Sequence, residues 1–252
     1  MRYMMVVGMV VAMSGVVSAE IRSEKIEYKC GETVLEGFVY WDDAVKGARP
    51  GVMVVHEWWG VNDYAKKRAE MLAELGYVAF AADMYGKGVK ATTPEEARKL
   101  ATALRENRQL MRERAKAGLD TLKARPECDP KRVAAMGYCF GGGVVLELAR
   151  SGANVNGVVS FHGNLDTPNP NDAKNIKGKV MVMHGADDQG VPMKQVIDFM
   201  EEMRAAKVDY QINIYGGAVH GFTNPDNKAA HNEKADRRSW EAMKGFFGEI
   251  FK

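Results

Sequence analysis

The stretch "MGYCFGGG", residues Met136–Gly143, places a cysteine between glycines at the junction of two apolar segments. The segment before it, "RVAAM", has the composition of a buried strand, and "VVLELAR" after it has the apolar spacing of a helix. Glycines two residues before and after Cys139 permit a very tight turn, where larger side chains would collide. We therefore predict a strand, a sharp turn and a helix. The sulfur would face the helix N-terminus, whose partial positive charge favours a thiolate.

The rest of the chain alternates between short apolar segments and segments of helical periodicity. The predicted strands are a hairpin, "KIEYKCGETVLEGFVYW", followed by "GVMVV", "YVAFAAD", "VNGVVSFHG", "GKVMVMHG" and "YQINIYGG". The predicted helices include "NDYAKKRAEMLAELG", one long stretch opened by Thr93-Pro94, "MKQVIDFMEEMRAAKV" and "NEKADRRSWEAMKGFFGEIF". This alternation predicts a mainly parallel central sheet with helices on both faces. Functional residues are then expected at the carboxyl ends of the strands.

Length and composition indicate one α/β domain. The chain has 252 residues, of which 46% are hydrophobic, enough for a single domain with a sizeable core. The net charge is +2 and charges of both signs are interspersed, so no nucleic-acid partner and no anionic membrane surface is predicted. We expect a small-molecule partner; the sequence does not indicate an oligomeric state.

The first residues, "MRYMMVVGMVVAMSGVVSAE", have the build of a secretory signal peptide. Arg2 precedes an apolar stretch, and small residues lead to a predicted cleavage after Ala19. Residues 1–19 are therefore the predicted signal peptide and residues 20–252 the predicted domain. An exported protein follows, periplasmic in a cell with two membranes or otherwise secreted. The alternative is an uncleaved membrane anchor, although the stretch is short and broken by glycine.

Three cysteines follow the predicted signal peptide: Cys30, Cys128 and Cys139. In an oxidising compartment an odd number leaves at least one thiol unpaired. A Cys30–Cys128 disulfide is compatible with the sequence but is not required by it. No second cysteine stands near Cys139 in a CxxC arrangement, which disfavours a redox role for that residue.

A nucleophilic sulfur needs a general base, and the base needs an acid that orients it. On a sheet of this kind the groups are expected in the order nucleophile, acid and histidine. The segment "MVMHGADDQGVP" supplies Asp187 and Asp188, and "NIYGGAVHGF" supplies His220. Of the five histidines only His220 and His231 follow these acids, and His231 lies in or near the closing helix. Cys139, His220 and one of the two aspartates are therefore predicted to be catalytic.

No metal or cofactor is predicted. His184 stands shortly before Asp187 and Asp188, but this spacing matches no usual ligand pattern.

Four segments together resemble one known family. "HEWWG", "GYCFGG", "HGADDQGVP" and "VHGF", in this order, are similar to the dienelactone hydrolase family, the cysteine-nucleophile branch of the α/β-hydrolases. The resemblance covers essentially the whole chain after residue 19 and implies an α/β-hydrolase fold. It also implies that the acid is Asp188, three residues before Val191-Pro192, rather than Asp187.

The resemblance assigns roles to residues that the motif search leaves open. It implies that Glu57 lies beside Cys139, holds the resting thiol, and swings away or accepts its proton when substrate arrives. It further implies that the backbone N–H groups of Trp58 and Phe140 face the developing oxyanion. The side chain of Trp58 or of Trp59 is expected to form a wall of the pocket.

Substrate recognition is where the chain departs from the family. The best-known family activity opens a lactone whose carboxylate is gripped by two arginines. Here Lys87 stands near one of those positions and Asn224 at the other. One cation is a weaker clamp than two, so a smaller or neutral ester, lactone or thioester is as compatible as dienelactone. Lys87, Trp59 and Tyr138 are the predicted substrate contacts.

The leading hypothesis is a hydrolase of carboxylic esters or lactones that works through an acyl-enzyme on Cys139. A first alternative is promiscuous hydrolysis of other activated esters, such as phosphotriesters, by the same thiolate. A second alternative, from another class, is a ligand-binding relative that has kept the fold without catalysis.

Overall fold

The computed structural model describes residues 20–252, so the predicted signal peptide and its cleavage site after Ala19 lie outside the described residues. The strands are β1 Ile21–Cys30, β2 Thr33–Asp42, β3 Arg49–Val55, β4 Val78–Ala82, β5 Cys128–Tyr138, β6 Gly157–Phe161, β7 Lys179–Gly185 and β8 Tyr210–Tyr215. The helices are α1 Asp63–Glu74, α2 Pro94–Glu106, α3 Arg108–Lys123, α4 Phe140–Arg150, α5 Met193–Ala205 and α6 Glu233–Ile250, with a short 3-10 helix over Pro170–Asn175. None of the helices within residues 20–252 combines the length and the apolar character needed to cross a bilayer.

The strands form one eight-stranded sheet in the order β1-β2-β4-β3-β5-β6-β7-β8. The β1–β2 hairpin is antiparallel, β2 pairs antiparallel with β4, and all the other pairs are parallel. The predicted mainly parallel sheet is therefore confirmed, and the fold is the α/β-hydrolase fold that the resemblance implies.

The sheet is buried on both faces. Successive residues of a strand point to opposite faces, so Val52 and Val54 of β3 face α1 and α6, whereas Met53 and Val55 face α2, α3, α4 and α5. Apolar residues at every position of these central strands follow from this double burial.

The long helical stretch after Thr93 is two helices rather than one. Asn107 ends α2 and begins α3, and its side chain accepts a hydrogen bond from the Leu110 N–H. Asparagine side chains compete well for such backbone groups, which favours helix caps over helix interiors. The sequence shows no break because the apolar positions continue on one face through both helices.

The cysteines do not pair. Cys30, Cys128 and Cys139 are all free thiols. Cys128 pairs with Arg49 at the start of β3, whereas Cys30 ends β1 at the opposite end of the sheet, opposite Thr33. The question that the sequence left open is therefore answered: Cys30 and Cys128 are not joined, because they lie at opposite ends of the sheet.

Candidate active site

The turn around Cys139 has the geometry that its glycines predict. Cys139 links β5 to α4 with φ 52° and ψ −115°, a conformation that is unusual for any residue other than glycine. A Cβ atom on Gly137 would lie 2.1 Å from the Gly141 carbonyl oxygen, and one on Gly141 would lie 2.3 Å from the Val55 carbonyl oxygen. Only glycine fits at either position, and the strand, turn and helix are confirmed.

Three side chains from three strand ends meet at this turn. His220 Nε2 lies 3.1 Å from Cys139 Sγ, and His220 Nδ1 lies 2.9 Å from Asp188 Oδ2. The other carboxylate oxygen of Asp188 accepts the N–H groups of Gly190 and Val191 at 2.8 and 2.9 Å. The sulfur, the imidazole and the buried carboxylate thus form one hydrogen-bonded chain.

Of the two adjacent aspartates, only Asp188 joins this chain. Asp188 is 4% exposed, whereas the side chain of Asp187 is exposed to solvent. This arrangement agrees with the choice of Asp188 that the family resemblance implies.

The electrostatics favour a protonated imidazole. Burial lowers the pKa of His220, but hydrogen bonds to Asp188 and to the Cys139 sulfur outweigh it and raise the pKa to about 10. Burial likewise raises the pKa of Asp188, and the hydrogen bonds from His220 and from two backbone N–H groups outweigh it, so the pKa is lowered. The imidazole that carries this raised pKa lies 3.1 Å from the Cys139 sulfur.

Glu57 follows β3 and is hydrogen-bonded to Asn224, the residue at the position of the family's second carboxylate-binding arginine. Its Oε2 accepts a hydrogen bond from Asn224 Nδ2 at 2.8 Å, and the side chain is 6% exposed. Burial raises the pKa of Glu57, and the Asn224 bond partly opposes this. Within residues 20–252 the hydrogen bond of the Cys139 sulfur is to His220 rather than to Glu57. The structure thus has the carboxylate turned towards Asn224 and the sulfur towards the imidazole.

The two predicted oxyanion donors are unoccupied. Phe140 is the first residue of α4, so its N–H has no acceptor within the helix. Within the described chain neither the Phe140 N–H nor the Trp58 N–H donates to another protein group. Phe140 follows Cys139 in the chain, and Trp58 lines the same cleft as Cys139.

The site opens into a cleft of about 790 Å³. Its lining residues are Glu57, Trp58, Trp59, Asn62, Lys90, Ala91, Arg105, Cys139, Asn164, Gly190, His220, Gly221, Asn224, Asp226 and Asn227. Trp58 and Trp59 both line it, packed edge to face with ring centroids 5.2 Å apart. Both tryptophans therefore form part of the cleft wall, where the sequence predicted only one.

Two predicted substrate contacts lie outside the cleft. Lys87 Nζ binds Glu27 Oε1 of β1 at 2.5 Å and does not line the cleft. Tyr138 is fully buried and packs against Tyr64, because the pleat of β5 turns its side chain to the α1 and α6 face. Both assignments are wrong.

Two other cationic side chains line the cleft instead, those of Lys90 and Arg105. The sequence analysis assigned no role to either residue. Arg105 Nη2 donates to Asn164 Oδ1 at 2.7 Å, and its guanidinium lies 5.8 Å from the centre of the Phe140 ring. Sequence reasoning also gave no role to His162, which ended a predicted strand. The only available signal was its position at the carboxyl end of that strand.

No group of three or more histidine, cysteine, aspartate or glutamate side chains in residues 20–252 is arranged to hold a metal ion. His184 is buried with no hydrogen-bond partner at either ring nitrogen among these residues, and burial lowers its pKa.

Comparisons with known proteins show the family of the chain. The family model "Dienelactone hydrolase family" matches residues 35–251. Protein usf from Aquifex pyrophilus is 30% identical over 231 residues, covering 90% of this chain and 98% of that protein. The solved structure m3DLH is 42% identical with a TM-score of 0.90, covering 92% of this chain and 99% of that one.

A second solved structure is the dienelactone hydrolase-like promiscuous phosphotriesterase P91 from metagenomic libraries. It is 41% identical with a TM-score of 0.89, and the match covers 93% of this chain and all of that one. Since the family model spans most of the chain and these relatives match it almost end to end, the chain belongs to the dienelactone hydrolase family.

Proposed function

We propose that the protein hydrolyses carboxylic esters or lactones through an acyl-enzyme on Cys139. The observation that carries this proposal is the hydrogen-bonded chain from Cys139 Sγ through His220 to Asp188 at the floor of the cleft. A sulfur beside an oriented imidazole is the arrangement that nucleophilic catalysis requires.

In the first half of the reaction the Cys139 thiolate attacks the carbonyl carbon, and the carbonyl oxygen becomes an oxyanion. The free N–H groups of Trp58 and Phe140 stabilise that oxyanion. When the carbon–oxygen bond breaks, the His220 imidazolium donates its proton to the leaving alkoxide. A thioester on Cys139 and a neutral imidazole remain.

In the second half the pKa of His220 falls, because a thioester sulfur no longer provides the charge and hydrogen bond that raised it. The neutral imidazole then takes a proton from water as the water oxygen attacks the thioester. Cys139 leaves as a thiolate, and His220 is again protonated. Asp188 orients the ring throughout.

Glu57 is proposed to control the proton of the resting thiol. Its buried carboxyl has a raised pKa, so it accepts a proton more readily than an exposed glutamate does. In the resting site it would hold the thiol, and when substrate arrives it would swing away or accept the thiol proton. With Asn224 as partner it leaves the sulfur to His220.

The test is a panel of p-nitrophenyl esters and lactones assayed with wild type, Cys139→Ala and His220→Ala. We expect both variants to fold and to lose turnover by roughly 10³-fold or more, because each removes a reacting group. Lys194→Ala, on the exposed side of α5, is the control and should match wild type. A folded Cys139→Ala protein with wild-type turnover would exclude this mechanism.

A second candidate activity is hydrolysis of phosphotriesters. It is motivated by the P91 relative, whose description names it a promiscuous phosphotriesterase. The same thiolate would attack phosphorus, the imidazolium would protonate the leaving group, and Cys139 would carry the phosphoryl group. A p-nitrophenyl phosphotriester assayed beside the esters tests this. Release of nitrophenol that persists in Cys139→Ala would separate the two activities.

A further inference from the structure

One buried histidine lies between the two loops that carry the reacting pair. His162 follows β6 directly, is fully buried, and has φ 39°, a left-handed conformation that is uncommon outside glycine. Its backbone N–H donates to the Met183 carbonyl of β7 at 2.8 Å. Backbone strain of this kind persists only where the surrounding structure imposes it.

Both ring nitrogens of His162 have partners. The backbone N–H of Cys139 donates to the Phe161 carbonyl at 3.0 Å and also to His162 Nδ1 at 3.2 Å. On the other side of the ring, Nε2 lies 2.7 Å from Thr223 Oγ1. Burial, together with the positive charges of His220 and Arg68, lowers the pKa of His162 well below its usual range. The ring is therefore neutral. With Nδ1 as an acceptor of the Cys139 N–H, the single ring proton is on Nε2 and is donated to Thr223 Oγ1.

These bonds connect the nucleophile to the loop of the base. Thr223 stands three residues after His220 in the same loop. The His162 ring also packs edge to face against the His220 ring, with centroids 5.4 Å apart. One imidazole thus contacts the backbone of Cys139, the ring of His220 and the loop that carries His220.

The far side of Thr223 is fixed as well. Tyr64 Oη lies 2.7 Å from Thr223 Oγ1, and Arg68 Nη2 donates to the Thr223 carbonyl at 2.6 Å. Arg68 Nη2 also binds Asp236 of α6 at 2.6 Å. These contacts hold the loop that carries Thr223 and His220 against α1 and α6. A displacement of His162 is therefore expected to change the position of Cys139 relative to His220.

We propose that His162 is a positioning residue that sets the distance between Cys139 Sγ and His220 Nε2 through its bonds to the Cys139 N–H and to Thr223. The proposal rests on the proposed function, since Cys139 and His220 must be the reacting pair. A histidine that served only stability would leave the reactivity of the folded enzyme unchanged.

The test compares Thr223→Val, Thr223→Ser, His162→Asn and His162→Phe with wild type. Valine removes the acceptor for Nε2–H at constant shape, and serine keeps it. Asparagine can still accept the Cys139 N–H, whereas phenylalanine loses both bonds. The readouts are the rate at which iodoacetamide alkylates Cys139, followed by peptide mass, the kcat and KM for p-nitrophenyl acetate, and urea unfolding.

We expect Thr223→Val and His162→Phe to lower kcat and the alkylation rate by about 10²-fold with little change in KM, since misplacement of reacting groups by about 1 Å costs this much. Thr223→Ser should restore both rates, and His162→Asn should lie between wild type and His162→Phe.

Wild-type alkylation and kcat in folded Thr223→Val and His162→Asn would overturn the proposal, as would a loss of stability alone. If the His162 variants do not fold, the comparison of Thr223→Val with Thr223→Ser tests the proposal. A wild-type protein without ester turnover would refute the proposed function, whereas the alkylation rates would still test His162.

Discussion

At the scale of single residues, the proton on His220 governs the expected pH dependence. Its pKa is raised from an ordinary value of 6.5 to about 10, so the imidazolium form persists through neutral pH. Above about pH 10 His220 is deprotonated, so it no longer donates a proton to the leaving group. We expect kcat/KM, which reports the free enzyme, to fall as pH rises through about 10.

Asp188→Asn sharpens this prediction. The variant removes the carboxylate that raises the pKa of His220, so the alkaline fall should move to lower pH. The measurement is kcat/KM from pH 6 to pH 11 for both proteins. An alkaline fall near 6.5 in wild type, or the same fall in both proteins, would be inconsistent with the assigned hydrogen-bond chain.

Arg105 is expected to select substrates that carry an anionic group. Its guanidinium lines the cleft and is bound to Asn164 rather than to an acid within residues 20–252. We expect Arg105→Met to raise KM for a p-nitrophenyl ester with a terminal carboxylate by about 10-fold, which corresponds to the loss of one charged hydrogen bond. KM for p-nitrophenyl butyrate serves as the control and should stay unchanged. An equal rise of KM for both esters would show that Arg105 does not select for the anionic group.

At the scale of secondary-structure elements, the turn between β5 and α4 depends on its glycines. A Cβ atom on Gly137 meets backbone at 2.1 Å, which no side-chain movement relieves. We expect Gly137→Ala to lower the free energy of unfolding by roughly 3 kcal/mol or more. Gly248→Ala in α6, where nothing lies within 4 Å, should instead raise it by up to about 1 kcal/mol. Urea unfolding measures both; similar values would contradict the steric argument.

Local pattern predicted most of these elements, and it predicted Cys139, His220 and one of two adjacent aspartates for the hydrogen-bonded chain. The family resemblance was needed to choose Asp188. Strand periodicity, helix caps and the order of motifs all act over a few residues, so the sequence carries them. The position of Tyr138 was also predictable, since β5 alternates between faces and Tyr138 shares the face of Met136. The two-residue periodicity of a strand is therefore enough to exclude Tyr138 from the cleft.

Other features depend on contacts between distant segments. Lys87 and Lys90 stand three residues apart in one loop, and only the packing of that loop determines which of them faces the cleft. Arg105 belongs to α2, and its place over Phe140 depends on how that helix docks. No local pattern distinguishes these residues from ordinary surface cations.

At the scale of the whole molecule, a buried ion-pair cluster ties together the elements behind the nucleophile. Arg150 of α4 is 1% exposed and binds Glu147 at 3.0 Å and Glu202 of α5 at 2.7 Å. It also donates to the Leu165 carbonyl at 2.9 Å. The helix α4, which begins directly after Cys139, is thereby fixed against α5 and against the segment after β6.

Arg150→Met should therefore be costly, because it removes the cation that binds the buried carboxylate of Glu202 and leaves Glu147 with Arg112 alone. We expect the free energy of unfolding to fall by roughly 3–5 kcal/mol, measured by urea unfolding. Lys194→Ala, which breaks an exposed pair with Asp198, is the matched control and should have no measurable effect. An equal effect of the two substitutions would show that burial does not govern these pairs.

The central claim is that the Cys139 sulfur forms a covalent bond to the acyl group. The most direct measurement is peptide mass spectrometry after acid quench of a reaction with p-nitrophenyl trimethylacetate, whose acyl-enzymes hydrolyse slowly. The account predicts one acyl group per chain, located on Cys139, in step with a burst of nitrophenol. Steady release of nitrophenol with Cys139 unmodified, or an acyl group on another residue, would contradict it.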